Sequence, residues 1–335
     1  MADNPNQLIN GTGGSDVITG TFAGNVTVNG NGGNDQITTF AFDDTITTGG
    51  GNDTINAGGG HNIIFAGHGN NIVTTGSGDD TITSGGGLDV INAGDGNNVV
   101  NAGAGNNTVT AGAGNDSITT GNGNDVINAG GGLNIINAGA GNNIVTTGTG
   151  SDTITTGSGS DVINAGAGNN TINAGSGNDT VTTGEGKDTI TTGSGNDTVT
   201  TGEGNDTISD GSGADVIDSG AGVDVIILAA DNTSDLVDLN MSNSVDVIFG
   251  FHAGAVPGPG DRLDISDLID FAGPGDLSDA IAAGFVQLAS AGGGANTVVE
   301  VDQNGGADSF SEVATLVGVA FATAATQLDD NIIVA

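Results

Sequence analysis

The phrase G-x-G-N-D-x-[Ile/Val]-x-x returns every nine residues along most of this chain, and that period decides what the chain can fold into. Counting each repeat from the residue before that phrase and taking the sixth position as a marker gives Asp35, Asp44, Asp53, Asn62, Asn71, Asp80 and Asp89, and so on without a slip to Asp224, which makes 22 consecutive nonapeptides. A ragged start near Asp16 and Asn25 is offset by one residue, so a roll is expected to begin around Gly11 with an irregular first turn. Each repeat has a glycine-rich half that can only turn, such as residues 112–115, and a short half such as Ser117, Ile118 and Thr119 that favours a strand. Two repeats then make one coil. The eighth-position aliphatics, among them Ile82, Ile91, Val100, Val109, Ile118 and Ile127, must point inward, because no other large apolar residue occurs in every repeat. The expected fold is an all-β, parallel β-roll (β-helix) solenoid.

Charge sets the next constraint. Lys187 and Arg262 face 40 acids, of which four are glutamate, and the net charge is −38. A compact chain so charged repels itself unless cations neutralise it. Phosphate backbones are bound through lysine and arginine, so nucleic acid is excluded as a partner. Tryptophan and tyrosine are absent and phenylalanine supplies ten residues among 335, so burial must come from repetition of aliphatics. The absence of cysteine removes disulfides and thiol chemistry and is compatible with either redox compartment. No stretch approaches the roughly 18 apolar residues of a membrane span. Residues 1–10 carry neither the basic nor the apolar region of a signal peptide, so secretion without an N-terminal signal peptide is expected.

The repeat resembles that of the repeats-in-toxin (RTX) family, whose consensus is G-G-x-G-x-D-x-U-x. The resemblance covers about two thirds of the chain, residues 11–228. It implies multiple Ca2+ ions, held by the marker side chain and by turn carbonyls of adjacent coils, a hard-oxygen site of six to eight ligands. The implied metal residues are Asp35, Asp44, Asp53, Asp80, Asp89, Asp116, Asp125, Asp152, Asp161, Asp179, Asp188, Asp197, Asp206, Asp215 and Asp224, with Asn71, Asn98, Asn107, Asn134, Asn143 and Asn170. A nucleotide-cradling reading of the glycine motifs fails because Gly186 and Lys187 are followed by Asp188, where a phosphate loop needs serine or threonine. The repeated N-D-T triplets match glycosylation sequons by accident of the repeat.

With two repeats per coil, the markers fall into two columns spaced by eighteen residues. One reads Asp53, Asn71, Asp89, Asn107, Asp125, Asn143, Asp161; the other reads Asp44, Asn62, Asp80, Asn98, Asp116, Asn134, Asp152, Asn170. Acid and amide alternate strictly until Asp179, after which every marker is an acid. Since ligand charge is one variable that sets calcium affinity, tight C-terminal sites that nucleate folding and weaker central sites are expected. Duplication of a 36-residue unit, visible in residues 112–147 against 148–183, produces the same alternation.

Composition shifts after Leu228, where the nonapeptide stops, Pro257, Pro259 and Pro274 appear, and six of the ten phenylalanines lie beyond. Val245, Asp246, Val247, Ile248, Phe249, Gly250 and Phe251, then Gly260, Asp261, Arg262, Leu263, Asp264, Ile265 and Ser266, resemble the segment that follows the repeats in type I secreted proteins. The closing Asp329, Asp330, Asn331, Ile332, Ile333, Val334 and Ala335 resembles the end of a type I secretion target domain. The expected organisation is a tail over 1–10, the roll over 11–228, and over 229–335 a mainly β cap and secretion domain, with a helix near 277–283. The resemblance implies the type I secretion apparatus as a partner, export unfolded, and folding by mass action in external calcium.

Catalysis needs a constellation outside the repeat, and the candidates are few. His61, His68 and His252 are the only histidines, and no H-E-x-x-H or G-x-S-x-G occurs. His61 and His68 replace routine turn residues and read as surface variation, so no enzyme is expected. The expected function is that of a secreted, extracellular, calcium-binding structural protein of the cell surface or matrix. It is expected to be a homo-oligomer or cell-surface polymer such as a surface layer or filament. The alternative is an adhesin-type or ice-binding solenoid acting as a monomer, for which the stacked Thr110, Asn128 and Thr146 speak.

Overall fold

The computed structural model describes residues 7–20, 24–239, 245–252, 260–265, 280–281, 286–291, 293, 295–302, 310–319 and 332–333. Two compact units, Met1–Gly166 and Ala167–Ala335, divide it.

In the first unit, short strands of three to five residues alternate between two parallel sheets. Strand Thr81–Thr83 pairs with Ile63–Phe65 on one side and Val99–Asn101 on the other, while Val90–Asn92 pairs with Ile72–Thr75 and Thr108–Thr110. Ile82 thus lies opposite Val100, and Ile91 opposite Val109, eighteen residues away. One coil is two nonapeptides, as the period requires. The β-branched centre of each strand points inward, and Ile82, Ile91, Val100, Val109, Ile118 and Ile127 are each no more than 1% exposed. Alanine two residues later, as in Ala93 and Ala102, is wholly buried and lets the two sheets approach at the corner.

The irregular start has a structural counterpart. Val17 pairs with Gln36 and Gln7 with Val26, both nineteen residues apart, so the first coil is one residue longer than the rest. Gln7–Asn10, expected as a tail, is already a strand of the roll, paired in parallel with Val26–Asn29.

In the second unit, Thr171–Ser176, Thr189–Ser194, Thr207–Ser212, Val225–Ile227 and Asp246–Phe249 stack in parallel. The other sheet stacks Thr180–Thr182, Thr198–Thr200, Val216–Asp218, Leu236–Asp238, Arg262–Asp264 and Ile332–Ile333. Parallel pairing therefore runs past residue 228, where the nonapeptide stops. Ser311–Val317 adds to Asp246–Phe249 in parallel, and Asn296–Val301 and Val286–Ala291 continue from it antiparallel. Of the helix expected over 277–283, Ala280 and Ile281 are described, and both are helical. Pro257, Pro259, Pro274, Asp329 and Asp330 lie outside the described residues.

Candidate metal sites

The turn carries two side-chain ladders that run in opposite directions. The residue before the marker reaches forward: Asn52 Oδ1 accepts the N–H of Asn70, and Asn70 Oδ1 accepts that of Leu88, both at 2.8–2.9 Å. His61 occupies this outer ladder, with its Nδ1 accepting the N–H of Asp79 at 2.9 Å, and acts as an asparagine substitute. The marker itself reaches backward. Asp53 Oδ1 accepts the N–H of Asp35 at 2.8 Å, Asn71 Oδ1 that of Asp53 at 3.0 Å, and Asp89 Oδ1 that of Asn71 at 2.8 Å. The second column repeats this with Asn62, Asp80, Asn98, Asp116, Asn134 and Asp152 as successive acceptors.

All 22 markers are no more than 1% exposed, so the structure brings every residue of the implied metal set into one of two buried columns within its unit. What distinguishes acid from amide is the second terminal atom. Oδ2 of Asp35, Asp44, Asp53, Asp80, Asp89, Asp116 and Asp125 is buried without a hydrogen-bond partner, and so is Oδ2 of Asp188, Asp197, Asp206, Asp215 and Asp224. An ionised oxygen in that state costs several kcal/mol without a countercharge, and a hard cation on oxygen ligands is what satisfies it.

At the asparagines the equivalent atom is a donor. Nδ2 of Asn62, Asn71, Asn98, Asn107, Asn134, Asn143 and Asn170 donates to the carbonyl of the glycine two residues earlier, at 2.9–3.5 Å. Nδ2 of Asn71, Asn98, Asn107 and Asn134 also meets the glycine carbonyl four residues earlier, at 3.2–3.5 Å.

Three acids outside the expected set belong with these sites. Past Asp215 the marker ladder continues with irregular spacing, since Asp215 N–H donates to Asp235 Oδ1 and Asp235 N–H to Asp261 Oδ1, while Asp224 N–H donates to Asp246 Oδ1. A fourth, Asp210, stands where other turns place threonine or serine, and one carboxylate oxygen each from Asp210, Asp215 and Asp235 lies within 4.8 Å of the others. The signal of Asp235, Asp246 and Asp261 in the sequence was D-x-aliphatic, as in Asp235, Leu236, Val237, at the wrong spacing.

Burial, reinforced by the Asp235 carboxylate, pushes Asp210 from an ordinary 3.8 up to about 8. Burial likewise raises Asp215 and Asp246 to about 7 and Asp224 and Asp235 to about 6. Burial raises Asp80, Asp89, Asp116 and Asp125 as well. These shifts favour the protonated fold, so their stabilising contribution is fully present below the ordinary carboxylate value and is lost as pH rises through about 6 to 8. In chelator, circular dichroism should therefore show β structure growing as pH falls from 8 towards 4. A signal flat across that window would show that these carboxylates do not control the calcium-free fold.

The family pattern described as RTX calcium-binding nonapeptide repeat (4 copies) matches overlapping windows from residues 10–39 through to residues 200–233. The chain belongs to the RTX family. Its parallel β-roll and its buried acidic turns are what that repeat predicts, and the cation it binds, calcium, suits the unpartnered Oδ2 atoms. Among solved structures, the chain is similar to the AlgE6R3 subunit of the Azotobacter vinelandii mannuronan C5-epimerase in solution. The match has 25% identity and a TM-score of 0.25, and covers 52% of this chain and 80% of that one. No curated protein matches the chain. No helix among the described residues is long and apolar enough to cross a membrane.

Proposed function

We propose that this RTX chain is a secreted structural protein of the cell surface or extracellular matrix, folded by calcium and built to self-assemble. The observation that carries the reading is the pair of columns of buried, unpartnered carboxylate oxygens, because such a chain has its folding equilibrium set by external calcium. Low cytosolic calcium keeps it unfolded for a type I secretion apparatus, and the resemblance of residues 245–251 and 260–266 to secretion-domain sequence supports that partner. The Asp210, Asp215 and Asp235 cluster supports tight sites towards the C-terminal end, where three carboxylates converge.

Support for assembly comes from an outward stripe on one sheet of the first unit. Val90, Thr108, Val126, Ile144 and Val162 lie in register, with Val126 43% exposed and Ile144 48% exposed. Contiguous exposed apolar residues on a regular sheet favour association. The second reading, a monomeric adhesin-type or ice-binding solenoid, draws on Thr110, Asn128 and Thr146, which pair directly across three strands.

Sedimentation velocity in millimolar calcium separates the two. Large species are expected for the wild type, and a monomer for the double variant Val126→Lys, Ile144→Lys. A wild type that folds and stays monomeric at every concentration removes self-assembly and leaves the monomeric reading.

A further inference from the structure

Asparagine and aspartate occupy the same backbone position in these turns and share the same Oδ1 bond, so they differ in one atom. At Asp80 or Asp116 that atom is a buried acceptor with nothing to accept from. At Asn98 it is an N–H2 group already directed at three carbonyls, those of Gly94 and Gly96 at 3.2 Å and of Ala111, in the next coil, at 3.3 Å. The amide assignment is forced, because the other terminal atom must accept the N–H of Asp80.

An independent feature accompanies the exchange. Five residues before the marker stands alanine in all seven asparagine turns, but threonine or serine in eleven of the fifteen aspartate turns. The hydroxyl closes the corner onto the next coil, since Thr75 donates to the carbonyl of Ala93 at 2.6 Å, thirteen residues after marker Asp80. Ala111 stands thirteen residues after Asn98, so the amide serves the equivalent carbonyl. A carboxylate cannot donate, and most aspartate turns supply a hydroxyl instead; an amide can, and its turn dispenses with the hydroxyl.

We infer that the asparagine turns are amide-closed joints that take no calcium, the Nδ2 group standing where the cation stands at an aspartate turn. This rests on the calcium reading above. From Asp53 in one column and Asp44 in the other, the first unit then alternates ion and amide. Bound ions are spaced two coils apart there, which halves the charge that must be neutralised and leaves the alternate turns of the folded roll needing no ion to close.

The test is native mass spectrometry of the full chain in calcium, counting ions. Asn98→Ala is expected to leave the count unchanged while lowering thermal stability, and Asn98→Asp to raise the count by one. Asn97→Asp, which puts the same charge on the exposed neighbour, is expected to add none. Loss of an ion in Asn98→Ala overturns the inference, as does no gain in Asn98→Asp or an equal gain in Asn97→Asp. Should Asn98→Ala fail to fold, Asn98→Asp against Asn97→Asp decides. A wild-type chain that binds no calcium at all would instead overturn the proposed function.

Discussion

Removing calcium at neutral pH is expected to abolish the β spectrum of the whole chain, leaving a disordered far-ultraviolet signal that millimolar calcium reverses. The expectation follows from the second oxygen of the markers. In the first unit alone, Asp35, Asp44, Asp53, Asp80, Asp89, Asp116 and Asp125 each bury one without a partner. Each such charge costs several kcal/mol when uncompensated, against a net stability of about 5–15 kcal/mol for an ordinary domain. Protonation offers only partial relief at pH 7, since Asp224 and Asp235 are raised no further than about 6. The net charge of −38 adds repulsion that no internal cation offsets, with only Lys187 and Arg262 available. The measurement is circular dichroism during titration from chelator into calcium. A chain that keeps its β signal and its melting temperature in chelator at pH 7.5 would show that the carboxylate columns are satisfied without metal.

The second large effect is expected from a single methyl group. Gly103 has a φ of +76°, and a Cβ there would run into the carbonyl group of Gly85 in the preceding coil, 2.5 Å from its carbon. Neither partner can retreat, because Ala104 N–H is bonded to that same Gly85 carbonyl at 3.0 Å. Left-handed backbone costs an L-residue roughly 1–2 kcal/mol and overpacking typically adds about 1–3. Gly103→Ala is thus expected to destabilise the roll by about 2–5 kcal/mol. Gly86→Ala is the control, since its Cβ would meet only His68 Nδ1 at 3.4 Å and the Ala104 carbonyl at 3.8 Å. It is expected to change stability by less than about 0.5 kcal/mol. Denaturant unfolding in saturating calcium compares the two, and equal midpoints for both variants would mean that the turns do not nest as described. In a solenoid each coil contacts only its neighbours, so the damage should stay near the substituted coil and broaden the transition.

Much of this molecule is legible in one dimension, because strict repetition turns sequence distance into spatial register. A period of nine with two repeats per coil places Ile82 against Val100 and puts Asp53, Asn71 and Asp89 in one column, and the pairing and hydrogen bonds follow that count. Inward and outward faces followed from the same regularity, since a strand alternates and only one position is always aliphatic. His61 and His68 were legible as turn residues by position alone, although that His61 continues the outer ladder emerged only from its bond to Asp79.

Where the spacing breaks, counting fails. The steps from Asp215 to Asp235, Asp224 to Asp246 and Asp235 to Asp261 are 20, 22 and 26 residues, so only the hydrogen bonds identify these acids as members of the columns. The nonapeptide stops at 228, yet strand pairing continues, because a coil can lengthen its turns without losing parallel register. The alternation of acid and amide was plain in the sequence, and its hydrogen-bonding consequence was not. Whether a terminal atom meets a cation or donates a proton depends on carbonyls from its own turn and from the next coil, such as those of Gly96 and Ala111 around Asn98. By itself the sequence determined the period, the faces and the charge of this RTX roll. Only the tertiary structure decided which atoms each buried marker meets, because those partners include groups thirteen and eighteen residues away that come together only when the coils stack.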